Sequence, residues 1–304
     1  MFKVITKDSQ FGKPLILISS DDTRLLTNKN MMSIKGETGS GKSRLAMNIM
    51  RGFLTGYDAI GFEYLKCPLD KVVVYVNTEM DEYDLQNRLL QILKLCDTQN
   101  VEQLVFIDER LSDDLIKQID KIAKHYNTHC IIIDQIGDGF NDMNNLQEAK
   151  KHTDSLMNIA EKNNTALIIL AHQNPNSGIN GKINGHGGTL LERKVTCSLA
   201  ICSTSYGFII KSTKMRHGKP IKIFVEFDQE TEMLKLSDKK DIDYSLITDK
   251  LILPAPKTDV YKQIETITKL KSPVKQQKIL DDLIEMDLVE IIQEGKSKIV
   301  NLKS

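Results

Sequence analysis

The densest chemistry in the chain lies at Gly36-Glu37-Thr38-Gly39-Ser40-Gly41-Lys42-Ser43, which has the spacing G-x-x-x-x-G-K-S of a phosphate-binding P-loop. Glycine at positions 36, 39 and 41 permits backbone angles that a side chain forbids. Successive N–H groups can then converge on phosphate oxygens. Lys42 adds a positive charge toward the β- and γ-phosphates, and Ser43 offers a hydroxyl to Mg2+. The pattern predicts a site for ATP or GTP with Mg2+.

Four more candidates stand at the ends of apolar runs. Glu79 follows Val72-Val73-Val74-Tyr75-Val76, and a glutamate there can polarise a water for attack on a γ-phosphate. Asp134 ends Cys130-Ile131-Ile132-Ile133 and suits a carboxylate that holds Mg2+ through water. His172 and Gln173 follow Ala166-Leu167-Ile168-Ile169-Leu170-Ala171. Gln173 can bond a γ-phosphate or the attacking water and report hydrolysis to the adjoining loop, while His172 reads equally as a structural histidine. Further on, Lys214-Met215-Arg216 precedes the turn His217-Gly218-Lys219. Cations two apart on a strand share a face. Aimed at a neighbour's nucleotide, they would stabilise transition-state charge as an arginine finger does.

The elements that must position these groups alternate. Met31–Ile34 leads into the P-loop as a strand, and a helix follows with Leu45, Ile49, Met50 and Phe53 on one face. Helices over 81–96, 113–126 and 143–163 separate the strands at 72–79, 104–107, 130–134 and 166–171. That order predicts an α/β fold with a mostly parallel sheet covered on both faces. Ligands bind at the carboxyl edge of such sheets, where Glu79, Asp134 and Gln173 would emerge beside the P-loop. Residues 174–188 read as a long glycine- and asparagine-rich loop, followed by hairpin strands near 195–203, 208–214, 220–226 and 233–236 that extend the sheet. The expected organisation is an ATPase domain over 1–236, a linker over 237–257, and a small unit over 258–304 in which two helices precede a hairpin, as in a shortened winged helix.

Composition narrows the partners. Lys+Arg and Asp+Glu both number 41, so the formal net charge is zero and no global field draws nucleic acid or an anionic membrane. The five cysteines include no C-x-x-C pair and read as free thiols. Neither a signal-peptide core nor a membrane-spanning run is legible, so the expectation is a cytoplasmic protein with no membrane partner.

The P-loop, Glu79, Asp134, His172-Gln173 and the Lys214-Met215-Arg216-His217-Gly218 hairpin follow one another as in RecA-like P-loop ATPases, and the chain most resembles the hexameric replicative helicases of the RepA and DnaB type. The resemblance covers roughly residues 15–236. It implies Lys42 and Glu79 in catalysis, Asp134 on Mg2+, Gln173 as sensor, and Lys214 and Arg216 acting in trans within a homo-oligomeric, hexameric ring on single-stranded DNA. It also assigns DNA contact to the loops after Asp134 and Gln173, where Lys150, Lys151, Lys182, His186, Arg193 and Lys194 are the nearby basic side chains. The chain departs from DnaB in lacking a helical N-terminal domain and is nearer RepA in its compactness. Two readings follow: an ATP-hydrolysing motor and helicase of a plasmid, phage or mobile element, or a RecA-like switch or loader that regulates protein partners without unwinding DNA. The 258–304 unit carries eight lysines and eight acids, without the basic face of a DNA reader.

Overall fold

In the computed structural model the P-loop leaves the carboxyl end of β3 (Met31–Gly36), a strand buried at every residue. The structure describes residues 5, 7, 9, 11–57, 60–96, 101–110, 114–137, 145–174, 181–204, 207–237, 244–268, 271–285, 288–295 and 297–303. Before β3, β1 (Ile16–Ser20) and β2 (Thr23–Thr27) form an antiparallel hairpin around Asp21 and Asp22, both at positive φ. Together with β4 (Glu63–Tyr64) they make a separate three-stranded sheet. The sequence shows strand character over Pro14-Leu15-Ile16-Leu17-Ile18 and turns at Asp21-Asp22 and Asn28-Lys29-Asn30, but the second strand between those turns is not legible in it.

After the P-loop come α1 (Lys42–Thr55), β5 (Val72–Asn77), α2 (Glu82–Cys96), β6 (Leu104–Asp108), α3 (Leu115–His125), β7 (Thr128–Asp134), α4 (Leu146–Lys162) and β8 (Ala166–His172). There follow α5 (Gly185–Lys194), β9 (Cys197–Thr204), β10 (Gly207–Met215), β11 (Lys222–Phe227) and β12 (Leu234–Leu236). The main sheet has nine strands in the order β12-β11-β10-β9-β3-β8-β7-β5-β6. Pairing is parallel from β9 through β6 and antiparallel from β9 outward to β12. This is the expected mostly parallel α/β sheet of a RecA-like P-loop fold, closed at one side by hairpins.

Strand alternation divides the core. Val73 and Tyr75, Cys130 and Ile132, and Ile168 and Leu170 point to the side of α1 and α2, where Leu45, Ile49, Phe53, Leu85 and Ile92 meet them. Val74, Val76, Ile131, Ile133, Leu167 and Ile169 point to the side of α3, α4 and α5. Strands apolar on both faces are what helix-covered parallel sheets require. Here α5 is a correction: the expected loop over 174–188 already becomes helix at Gly185, and its span 175–180 lies outside the described residues. Glycines at 185, 187 and 188 hide the helical period.

The carboxyl-terminal elements gather around their own apolar cluster. These are α6 (Tyr244–Lys250), β13 (Ala255–Pro256), α7 (Lys257–Thr268), α8 (Pro273–Glu285), β14 (Val289–Glu294) and β15 (Ser297–Leu302). Val260, Ile264, Ile279, Leu280, Leu283, Val289 and Val300 fill the cluster, and Ile247, Leu251 and Ala255 join it. Part of the stretch read as linker is therefore packed structure. The helix pair and the β14–β15 ribbon have the winged-helix-like order expected, with β13 added beside β15.

One buried base makes the fold sensitive to acid. His129 on β7 is 4% exposed and stands edge-on to Phe53, ring centroids 5.0 Å apart. Burial lowers its pKa from 6.5 to about 4, against a backbone hydrogen bond at Leu65 that raises it. With the folded value depressed, the unfolded chain binds the proton first. Stability is complete above about pH 6.5 and falls as pH drops toward 4. By pH 5 the loss is about 2 kcal/mol. Urea unfolding at pH 7.5 and pH 5 should show this excess loss in the natural protein, and His129→Leu should remove it.

Candidate nucleotide site

The turn from β3 into α1 needs its glycines. Gly39 and Gly41 have φ of 75° and 98°, and a Cβ on Gly36 would stand 2.5 Å from the Ile201 carbonyl oxygen. No residue but glycine fits that approach. Beyond it, α1 begins at Lys42, which directs the positive end of a 14-residue helix at the loop. Lys42 Nζ donates to the carbonyls of Gly36 at 3.1 Å and Glu37 at 2.9 Å. Burial lowers its pKa, and the charges of Asp134 and Glu79 work the other way.

His172 lies between the lysine and the glutamate. Its Nδ1 is 3.2 Å from Lys42 Nζ and its Nε2 is 3.3 Å from Glu79 Oε1. An ammonium can only donate, so Nδ1 accepts and Nε2–H is left to donate to Glu79. His172 thus joins the P-loop lysine to the acid. The hydrogen bond from His172 is also the main cause that holds the Glu79 carboxyl below its usual pKa, helped by the charges of Lys42 and Arg88 and opposed by partial burial. Glu79 itself lies two residues past the end of β5, in a turn, with its side chain 44% exposed.

Asp134 closes β7 and is 3% exposed. Burial raises its pKa, while hydrogen bonds from Tyr75 and Ser43 and the charge of Arg88 lower it. The Tyr75 hydroxyl donates to Oδ2, and Arg88 Nη1 stands 3.6 Å from the same oxygen and 3.2 Å from the Tyr75 hydroxyl. Neither Tyr75 nor Arg88 is picked out by the sequence reading. The signal for Arg88 was its place on α2 between the buried Leu85 and Ile92, a charge on the apolar stripe of an amphipathic helix. Tyr75 was hidden inside an apolar strand.

Gln173 is 4% exposed, and its backbone N–H donates to the Gly36 carbonyl at 3.3 Å. With Glu37, Thr38, Gly39, Ser40, Cys202 and Ser203 it lines a cleft of about 120 Å³ against the P-loop. Lys214 and Arg216 are elsewhere. Met215 pairs with Cys197, and Cys197 pairs with Met32, four residues before Gly36. At about 3.3 Å per residue this separates them from their own P-loop by roughly 13 Å along the sheet. Both cap the carboxyl end of α5: Lys214 Nζ donates to the carbonyls of Glu192 and Arg193, and Arg216 Nη2 donates to Arg193 at 2.6 Å.

The donor set suits a magnesium nucleotide. The Ser43 hydroxyl and the Asp134 carboxylate are hard oxygen ligands. Among the described residues no group of three or more His, Cys, Asp and Glu forms a metal cage, so Mg2+ would be completed by phosphates and water. A family model described as an AAA domain matches residues 23–178, just over half of the chain. The chain belongs to that family. Its AAA domain spans the P-loop, Glu79, Asp134 and Gln173 and stops before Lys214 and Arg216. A search among curated proteins finds no match. The AAA domain makes the protein a P-loop ATPase; no helix among its described residues is long and apolar enough to cross a membrane.

Proposed function

We propose that this ATPase is a motor on single-stranded DNA, a helicase of the replicative type that works as a homo-oligomeric, hexameric ring. One observation carries the reading. The P-loop, Glu79, His172 and Asp134 share the carboxyl edge of the sheet, whereas Lys214 and Arg216 sit at the opposite edge. A cation pair so placed can reach a triphosphate only on another copy. Head-to-tail contact of that kind repeats from subunit to subunit, and where its rotation closes it forms a ring.

In this reading Lys42 and the P-loop amides hold the phosphates, and Ser43 and Asp134 hold Mg2+. When bound, the ion supplies neutralisation of charge on the phosphate oxygens. Glu79, kept ionised by His172, orients a water and takes its proton as the water oxygen bonds the γ-phosphorus and ADP leaves. The Arg216 guanidinium of the adjoining copy stabilises the charge that develops. Gln173, whose backbone N–H bonds the first P-loop glycine, passes on the state of the nucleotide in this reading. Lys150, Lys151, Lys182 and Arg193 are exposed toward phosphates, and Lys194 is exposed but paired with Asp154 at 3.2 Å.

ATP turnover should rise severalfold on adding single-stranded DNA, and a forked duplex should be unwound in the presence of ATP. Turnover indifferent to DNA, with no unwinding, would favour the second reading, an ATP-dependent switch or loader acting on proteins. The zero net charge of the chain supports that second reading, and nucleotide-dependent retention of protein without DNA would distinguish it.

A further inference from the structure

We infer that Thr78 is a positioning residue that locks the turn bearing Glu79 to the end of the Asp134 strand. The inference rests on the reading of Glu79 as the base. The last rung of the β5–β7 ladder pairs Asn77 with Asp134. Beyond that rung Thr78 N–H donates to the Asp134 carbonyl at 2.8 Å. The Thr78 hydroxyl then accepts from Gln135 N–H at 2.7 Å and donates to the Gln135 carbonyl at 2.9 Å. One side chain, 8% exposed, thus uses both its donor and its acceptor on the backbone of a single residue.

On the other side of the turn Asn77 spans it in the same manner. Its Oδ1 accepts from Met80 N–H at 2.9 Å and its Nδ2 donates to the Met80 carbonyl at 2.7 Å. Glu79 is therefore bracketed by two side chains that each make two bonds to backbone. The Glu79 carboxylate itself is half-exposed and tied to the protein through His172. Its location relative to Asp134 is set by the turn, and the Thr78 clamp is the part of the turn that reaches the metal-holding strand. The hydroxyl is essential to this role and the methyl is not. Valine has the same shape but would leave the buried Gln135 N–H and carbonyl without those bonds.

The test compares Thr78→Val, Thr78→Ser and Glu79→Gln in steady-state ATP hydrolysis and in binding of a fluorescent ATP analogue. Misplacing a catalytic group by about 1 Å costs on the order of 100-fold. Thr78→Val should lose roughly that factor in kcat, with KM and analogue affinity within about threefold, and Thr78→Ser should restore turnover to within about threefold. Thermal melting checks that the variants are folded. If Thr78→Val is unfolded, Thr78→Ala takes its place with the same expectation. Thr78→Val turning over like the natural protein while Glu79→Gln is inactive would overturn the clamp alone. So would a serine variant as impaired as the valine one. Full activity of Glu79→Gln would instead remove the base on which the inference rests.

Discussion

Glu79→Gln protein binds ATP with the affinity of the natural protein and barely hydrolyses it. The substitution keeps the shape of the side chain and an acceptor toward His172 Nε2–H, 3.3 Å away in the natural chain. It removes the ability to take a proton from water. General-base catalysis contributes about 10²–10⁴-fold, and turnover should fall by that factor. Binding should survive because the phosphate-holding groups, Lys42 and the loop amides, form from β3 and α1 without Glu79. The pH profile separates this role from a structural one. The Glu79 carboxyl is held below its ordinary pKa, chiefly by the His172 hydrogen bond. It therefore stays ionised, and able to act as a base, to a lower pH than an ordinary carboxyl does. His172→Ala should move the acid limb of the turnover profile to higher pH by removing the main cause of that depression. Single-turnover hydrolysis with bound ATP measures both effects. Undiminished cleavage by Glu79→Gln would exclude the glutamate as base.

The sequence announces those parts of the site where local chemistry and local geometry coincide. A P-loop is one continuous segment whose glycines, lysine and serine need only each other, and its neighbours β3 and α1 follow from simple apolar runs. Asp134 is legible because its apolar strand ends in an acid downstream of a P-loop. Groups assembled across the sheet are another matter. The Tyr75–Asp134–Arg88 cluster joins β5, β7 and α2, and the Thr78 clamp joins two strand ends 57 positions apart; no spacing within one element encodes either. The expected loop over 174–188 gives way to helix at Gly185 for a different reason. Helix α5 is held by packing, with Leu191 buried and Lys35 ion-paired to Glu192 at 2.5 Å, so tertiary contacts offset a glycine-rich start with poor helix propensity. The hairpin of β1 and β2 was obscured by its short strands, which find their third partner at β4, far along the chain.

Arg216→Ala should abolish most hydrolysis when pure and regain it in mixtures with a second inactive variant. An arginine finger is worth about 10³–10⁵ in turnover, so the pure variant should lose at least about 100-fold, allowing for help from Lys214. Lys42→Ala is also inactive, through loss of the phosphate-binding charge, but it retains Arg216. In mixed assemblies an intact P-loop of the arginine variant can stand against an intact Arg216 of the lysine variant, and activity should reappear there. A structural role predicts another outcome. Arg216 caps α5, with Nε 3.2 Å from the Val195 carbonyl and Nη2 2.6 Å from that of Arg193. Losing those bonds would cost about 1 kcal/mol each within the mutated copy, and no neighbour could restore them. Arg216→Lys adds a further distinction, because lysine can keep a charge near the helix end but not the planar fork that meets phosphate. Recovery in the mixture, its dependence on the mixing ratio, and failure of the lysine variant would together mark a guanidinium that serves the next subunit. Turnover at the full rate by a strictly monomeric protein, or by pure Arg216→Ala, would leave the opposite-edge cations as caps of α5 and nothing more.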